Sequence, residues 1–296
     1  MDISFEIYNE DAVKRLQEED PDILPEYSID EEKDLAYNKK QVNAAITSAI
    51  LQGKSIPNIA SDLSSRMKTT NQQTAVKAAR TAVTSAQNGG RLESFYKAKE
   101  MGIDVKKKWM ATLDSRTRPR HRDLDGEIRE VEEAFSNGLM YPGDSSGSAG
   151  EVWWCRCRLG KYLPDVDMSD SVRWSRNLLT GEREYTSNKT MVKWGADILR
   201  PQYSKVSKIK TAISVILEGM SDHSLWQAFT RGITPEEIID AVENPLKVNG
   251  PTLREDGQYS QRFIGYFAIV NINPETGVLS TLWKTGKRIR RKFGRE

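Results

Sequence analysis

The chain has 296 residues, of which 38% are hydrophobic and 29% charged, with a formal net charge of +2. That length favours two domains, and the composition suits a soluble globular protein rather than a fibrous or disordered one. No run of about 18 apolar residues exists, which argues against a transmembrane helix and a membrane partner, and the acidic start lacks the apolar core of a secretory signal. The two cysteines, Cys155 and Cys157, are too close in sequence to form an easy disulfide with each other, so a reducing compartment or a metal site fits them better.

The small net charge hides an asymmetry. Between Asp2 and Asp34 lie thirteen acidic and three basic residues, whereas Lys284 to Arg295 holds seven basic residues and no acid. A basic body with a basic tail points to a polyanionic partner, nucleic acid being the commonest. The tail cations Lys284, Lys287, Arg288, Arg290 and Arg291 are the candidate contacts, a solvated terminus being the plainer reading.

In chain order, residues 1–35 read as an acidic arm, with a short strand at Ile3 to Tyr8. Residues 36–52 carry one apolar stripe (Tyr37, Val42, Ala45, Ile46, Ala49, Ile50) and predict a helix, ended by Gly53. Ser55 can cap a second helix with Ile56, Ile59, Ala60, Leu63 and Met67 at helical spacing. A third is expected from Gln72 to Met101, kinked at Gly89-Gly90 and ended by Gly102. The period then changes to two. Ile103, Val105, Lys107, Trp109, Ala111 and Leu113 alternate with polar residues, which predicts a strand. Residues 127–140 read as a short amphipathic segment, 141–150 as a loop, and 166–205 as an extended connector with one or two short elements. Beyond it a helix is expected at about Thr211 to Glu218, a second ending at Gly232, and a third starting at Thr234-Pro235-Glu236-Glu237 with a cap, a proline at its first position and a capping-box glutamate. Strands at Gln261 to Ile272 and Val278 to Trp283 flank a turn at Asn273 to Gly277. The fold class is therefore α+β. A helical region and a small strand-and-loop motif (36–165) precede a separate small α+β domain with an antiparallel sheet (206–296).

Two clusters carry the histidines. In the first, His121, Cys155 and Cys157 supply three of the four ligands that a structural zinc needs, with Asp125 or Asp114 as a fourth. Against this stands a purely structural reading. There His121 and Asp125 hydrogen-bond a loop, the thiols are small buried groups, and Arg116, Arg118 and Arg156 pair with Asp114, Asp125 and Glu151. Nucleophilic catalysis by Cys155 with His121 as base lacks an evident third group. The motifs Asp114-Ser-Arg-Thr-Arg118, His121-x-x-Leu-Asp-Gly126, Tyr141-Pro-Gly-Asp144 and Cys155-Arg-Cys157, with Ala79-Arg80-Thr81 upstream, resemble the phage Mu F-like (SPP1-type) head morphogenesis family of minor capsid proteins. The resemblance covers about residues 36–160. Trp154 departs from it, since an asparagine commonly precedes Cys-Arg-Cys there. It implies a virion protein of the head interior, made in the host cytoplasm, with the portal, other head proteins and phage DNA as partners, and sometimes ejected with that DNA.

In the second cluster, His223, Gln227 and Arg231 recur every four residues and share one helical face. A histidine to move a proton, an arginine to hold charge and hydroxyls to position a phosphate are what metal-free phosphodiester cleavage requires. A helix-capping histidine beside a surface arginine is the structural alternative. The stretch from His223 through Arg231-Gly232-Ile233-Thr234, with Asn244-Pro245 and Leu279 to Thr285, is similar to phage-associated nuclease-like domains of the barnase–EndoU–colicin–RelE group. This resemblance implies ribonuclease activity on host RNA, with His223 as acid or base, Arg231 as phosphate clamp, and Thr281 and Thr285 as positioning hydroxyls.

Overall fold

The structure is a computed structural model that describes residues 46, 48–49, 52–66, 72–168 and 170–293. The expected acidic arm, its strand and most of the first expected helix lie outside the described residues. The chain divides into two compact units: residues 1–175 with 185–188, and residues 176–184 with 189–296.

The first unit begins with helices α1 (Ile56–Arg66) and α2 (Gln72–Glu100). Their interface is built from small side chains. Ala60, Ala75, Ala78, Ala79 and Ala82 are buried with Ile46, Ile59 and Leu63, and Trp153 closes the cluster. Alanine at the contact positions lets two helices approach closely. The glycine pair Gly89-Gly90 does not interrupt α2, which runs unbroken through it. Instead, small residues on this part of α2 admit a loop, and Gly143 packs against the Ser85 backbone with only 3.3 Å to spare for a Cβ atom.

The predicted alternation from Ile103 to Leu113 is observed from Val105 on, since Val105, Lys107, Trp109, Ala111 and Leu113 are all buried. The hydrogen-bonded ladder is shorter. Strand β1 (Lys106–Met110) lies between β2 (Ile128–Arg129) and β3 (Arg158–Tyr162), antiparallel to both. Beyond Met110 the chain leaves the ladder, and the Ala111 N–H donates to Asp125 at 2.6 Å instead. Lys107 pays a cost for its place in the alternation. Its side chain is wholly buried, and its ammonium donates to the Met140 carbonyl at 3.0 Å. Burial pushes its pKa down to about 8.

Two short helices follow, α3 (Pro119–Asp123) and α4 (Ala149–Val152). The segment 127–140 is β2 followed by turns, with Val131, Phe135 and Leu139 buried. The Tyr141-Pro-Gly-Asp144 loop is ordered by its own acid, because Asp144 accepts from the Met140 N–H at 2.9 Å and the Ser146 N–H at 3.0 Å. The stretch 166–205, expected as an extended connector, holds a hairpin of β4 (Val172–Arg176) and β5 (Arg183–Ser187), then helix α5 (Met191–Leu199).

In the second unit, residues 211–218 do not form the expected helix. Strands β6 (Ile209–Lys210) and β7 (Ile216–Leu217) pair across a turn. Ile209, Thr211, Ile213, Val215 and Ile216 are all β-branched, and their stiff χ1 favours extended backbone over helix. Strand β8 (Gly219–Met220) leads into α6 (Asp222–Arg231), capped by Ser221 and ended by Gly232 at φ 58°. Helix α7 (Pro235–Glu243) has the complete Thr234/Glu237 capping box that its sequence announces. A six-stranded sheet follows, containing β9 (Lys247–Val248), β10 (Thr252–Leu253), β11 (Tyr259–Ile264), β12 (Ala268–Ile272) and β13 (Val278–Lys284). Its path is β10-β11-β12-β13-β8, with β9 on β11, and only the β13–β8 pair is parallel. The basic tail forms helix α8 (Lys287–Phe293).

Helix α5 packs closely on α6 in this unit. The Trp226 indole lies directly on Gly195, and its N–H donates to the Val192 carbonyl at 3.0 Å. A methyl group at 195 would overlap the ring, so Gly195→Ala should destabilise by about 1–3 kcal/mol. The measurement is the urea midpoint of the full chain at unchanged m-value, and an unshifted midpoint would refute this packing.

Candidate functional sites

The first site assembles on the extended backbone of residues 155–157. In extended chain, alternate side chains share a face. Cys155 and Cys157 therefore point the same way, toward His121 on α3, while Arg156 points away and forms an ion pair with Asp114. The His121 Nδ1 atom lies 3.7 Å from the Cys155 sulfur and 3.4 Å from the Cys157 sulfur, and all three residues are buried. Their ligand atoms all lie within 4.8 Å of one another.

These separations are compatible with thiol–imidazole hydrogen bonds and also with three ligands that could hold a metal ion. Tetrahedral zinc with ordinary Zn–S and Zn–N bond lengths places a sulfur and a nitrogen ligand about 3.6 Å apart. On its other side the His121 ring meets a carboxylate, with Nε2 at 3.1 Å from Glu151 on α4. A carboxylate on the far nitrogen of a ligating histidine fixes the tautomer that presents Nδ1 to a metal. Glu151 is in turn held by Arg120 at 3.0 Å. Burial raises the Glu151 pKa, but Arg120 and His121 outweigh it and keep the group ionised.

The thiols share one negative charge. A hydrogen bond from the Cys157 thiol brings Cys155 down to about 5, against burial and with help from His121. The same bond and burial push Cys157 up. The buried Trp109 indole N–H lies beside Cys157 and favours its thiolate.

Neither aspartate completes a metal site, contrary to the expectation of Asp114 or Asp125 as a fourth ligand. Asp114 accepts from Arg156 and from the Arg116 N–H at 2.9 Å. Asp125 is clasped by Arg173 at 2.8 and 2.9 Å in addition to its bond with the Ala111 N–H. Arg118 does not pair with an acid either, and donates to the carbonyls of Glu151 and Trp153.

The backbone that carries the thiols is tied to α2 by three side chains one turn apart. Thr81 accepts from the Trp154 N–H at 3.3 Å, and Thr84 donates to the Cys155 carbonyl at 3.0 Å. The buried Asn88 amide donates to the Pro142 carbonyl at 2.7 Å and the Cys157 carbonyl at 3.0 Å, and accepts from the Leu159 N–H at 2.9 Å. Sequence reading passed over these residues. The available signal was three polar residues at helical spacing, Thr81, Thr84 and Asn88, beside the buried alanines of α2.

In the second unit, α6 and β13 bring most of the second cluster together. The Gln227 side-chain oxygen accepts from the Thr281 hydroxyl at 2.6 Å and the Leu282 N–H at 2.9 Å. Its NH₂ group therefore faces His223 Nε2 at 2.7 Å and donates to it. His223 and Arg231 are exposed, and the Arg231 guanidinium donates to the Leu282 carbonyl. The Lys284 ammonium lies near Gly232. Thr285 does not join them. It is buried, and its hydroxyl donates to the Gly265 carbonyl at 2.8 Å, a structural bond. Lys287, Arg288 and Arg291 are exposed on α8, and Arg290 lies 5.5 Å from the Tyr266 ring centre. Among the described residues no helix is long and apolar enough to cross a membrane.

Replacing Asn88 by alanine leaves two carbonyls and one N–H unpaired in the interior. It should cost at least about 2 kcal/mol, read as a lowered urea midpoint, since each buried unpaired polar group costs about 1–3 kcal/mol.

Comparison with known proteins agrees with the first site's motifs. Minor head protein GP7 of Bacillus phage SPP1 is 30% identical over 182 residues, 59% of this chain and 56% of that protein. The NAD(+)--arginine ADP-ribosyltransferase EFV of Enterococcus faecalis (strain ATCC 700802 / V583) is 29% identical over 203 residues, 67% of this chain and 40% of that protein. The chain thus spans about half or less of the length of these relatives. No solved structure matches it. Residues 40–160, which hold the His121, Cys155 and Cys157 cluster, match the family model described as Phage Mu protein F like protein.

Proposed function

We propose that this chain is a minor head protein of a bacteriophage, present in the virion head interior near the portal, whose second unit acts on RNA as a metal-independent ribonuclease. The head assignment rests on the match of residues 40–160 to the phage Mu F-like model and on a relative named a minor head protein. Portal contact, ejection with the DNA and assembly in the host cytoplasm follow from the family resemblance. The relative named for an ADP-ribosyltransferase lies mostly outside its matched stretch, since this chain covers 40% of it. That supports a body of this kind being joined to a separate catalytic module.

The ribonuclease reading is carried by the His223–Gln227–Thr281 chain of hydrogen bonds. With its amide oxygen engaged twice, Gln227 turns its NH₂ group to His223 and makes Nε2 an acceptor, so the neutral ring holds its proton on Nδ1. Once Gln227 releases it, Nε2 is the lone pair that takes a proton from a ribose hydroxyl, and the imidazolium so formed can protonate a leaving oxygen. Arg231 at the end of the same helix and Lys284 at the end of β13 would hold the phosphate. Full-length protein should cleave single-stranded RNA without added metal, and His223→Ala should slow this by about 100-fold or more. A wild-type chain that leaves RNA intact but binds it with steep salt dependence would instead favour the second reading, a structural head protein whose basic α8 helix only holds nucleic acid.

The His121, Cys155 and Cys157 cluster we infer to be a zinc site that stabilises the first unit. Elemental analysis of the purified protein should return about one zinc per chain, and a metal-free chain with unaltered stability would remove this reading.

A further inference from the structure

The three candidate ligands line one wall of a cavity of about 310 Å³ whose other lining residues are Arg80, Arg116, Thr117, Arg118, Trp154 and Arg156. Four guanidinium groups surround a space whose nearby acids are Asp114, already occupied by Arg156, and Glu151, already held by Arg120 and His121. Arg118 is spent on main-chain carbonyls. Arg116 lies 3.9 Å from Asp114 with its side chain 73% exposed, so it is weakly held. Arg80, stacked at 5.6 Å on the Trp154 ring, has a buried Nε–H without a hydrogen-bond partner. Burial lowers its pKa, and the neighbouring Arg156 and Arg116 lower it further.

Two thiolates cancel the charge of one divalent metal ion, so they leave this arginine excess intact. Three protein ligands also leave a tetrahedral metal with one position unfilled. Asp114 and Asp125 are both committed elsewhere. The remaining position therefore belongs to the cavity that all three ligands line.

Resting on the zinc reading above, we propose that this metal centre is open, and that its fourth position together with Arg80 and Arg116 binds a phosphate group. A phosphate oxygen is a competent metal ligand, and the forked donors of arginine match the remaining oxygens. The phosphate could be free in solution or part of a nucleic-acid backbone.

The test uses the full chain loaded with cobalt(II) in place of zinc. A thiolate-to-cobalt charge-transfer absorption reports the metal in the His121, Cys155, Cys157 site, and so tests the zinc reading alone. Titration with inorganic phosphate, and separately with a short DNA oligonucleotide lacking terminal phosphates, should shift the cobalt d–d bands while the charge-transfer band persists. A response to phosphate alone identifies a free anion, and a response to the oligonucleotide identifies backbone phosphate. Arg80→Gln and Arg116→Gln should keep the charge-transfer band and weaken the response at least tenfold. Unmoved d–d bands in the presence of the charge-transfer band overturn the open site and leave the metal in place. An undiminished response in both variants overturns the role of the arginines. Absence of the charge-transfer band overturns the metal reading and the open site with it.

Discussion

Three side chains on one helix hold the first unit's chemistry in place. Thr81, Thr84 and Asn88 bond the main chain of Trp154, Cys155, Cys157 and Leu159 to α2. The backbone so held is not a ladder strand until Arg158, and without these bonds the Cys155 and Cys157 carbonyls and the Leu159 N–H would lose these partners. The helix thus does for this segment what a neighbouring strand does elsewhere. Once the backbone is extended, the alternation of side chains sets both sulfurs toward His121 and Arg156 toward Asp114. Trp154 takes up the bend before it with φ at 60°.

The charged groups around this centre sort by what they satisfy. Asp125 and Arg173 form a buried pair that also closes the edge of β1 at Ala111, since Arg173 donates to the Ala111 carbonyl at 2.6 Å and Asp125 accepts from its N–H. A buried pair that is also hydrogen-bonded is tolerated, and removing one member would leave the other as an uncompensated charge. Glu151 serves the histidine. Asp114 serves Arg156 and its own turn. The acids are therefore consumed by structure, and the excess of arginine that remains faces the cavity beside the sulfurs.

The second unit solves a different problem. Its His223 cluster lies where α6 crosses β13, and the helix is positioned from behind by Trp226 resting on Gly195 of α5. Gln227 is the joint between helix and sheet, because its side chain bonds both the Thr281 hydroxyl and the Leu282 main chain. His223 is thereby oriented by a group that is itself fixed by the sheet.

Local sequence was sufficient wherever a short-range rule decided the outcome. The period of two from Val105 to Leu113, the capping box at Thr234, the glycine stop at Gly232 and the turn at Asn273 to Gly277 were all legible, because each depends on residues within one or two turns of chain. The α+β class followed from them, and the motifs around His121, Tyr141 and Cys155 marked the segment that matches the phage Mu F-like model. Residues 211–218 misled, since an apolar rhythm there fits a helix while the stiffness of its β-branched side chains favours a hairpin. The helix α5 was missed because its stabilising partner, Trp226, lies some thirty positions further on. Composition could propose His121, Cys155 and Cys157 as ligands, but the exclusion of Asp114 and Asp125, the support from Glu151 and the retirement of Thr285 to a structural bond were decided only by tertiary structure. The physical reason is the same in each case. A side chain's residue type states what it can bond, and only its distant neighbours, brought close by folding, determine which of those bonds is already taken.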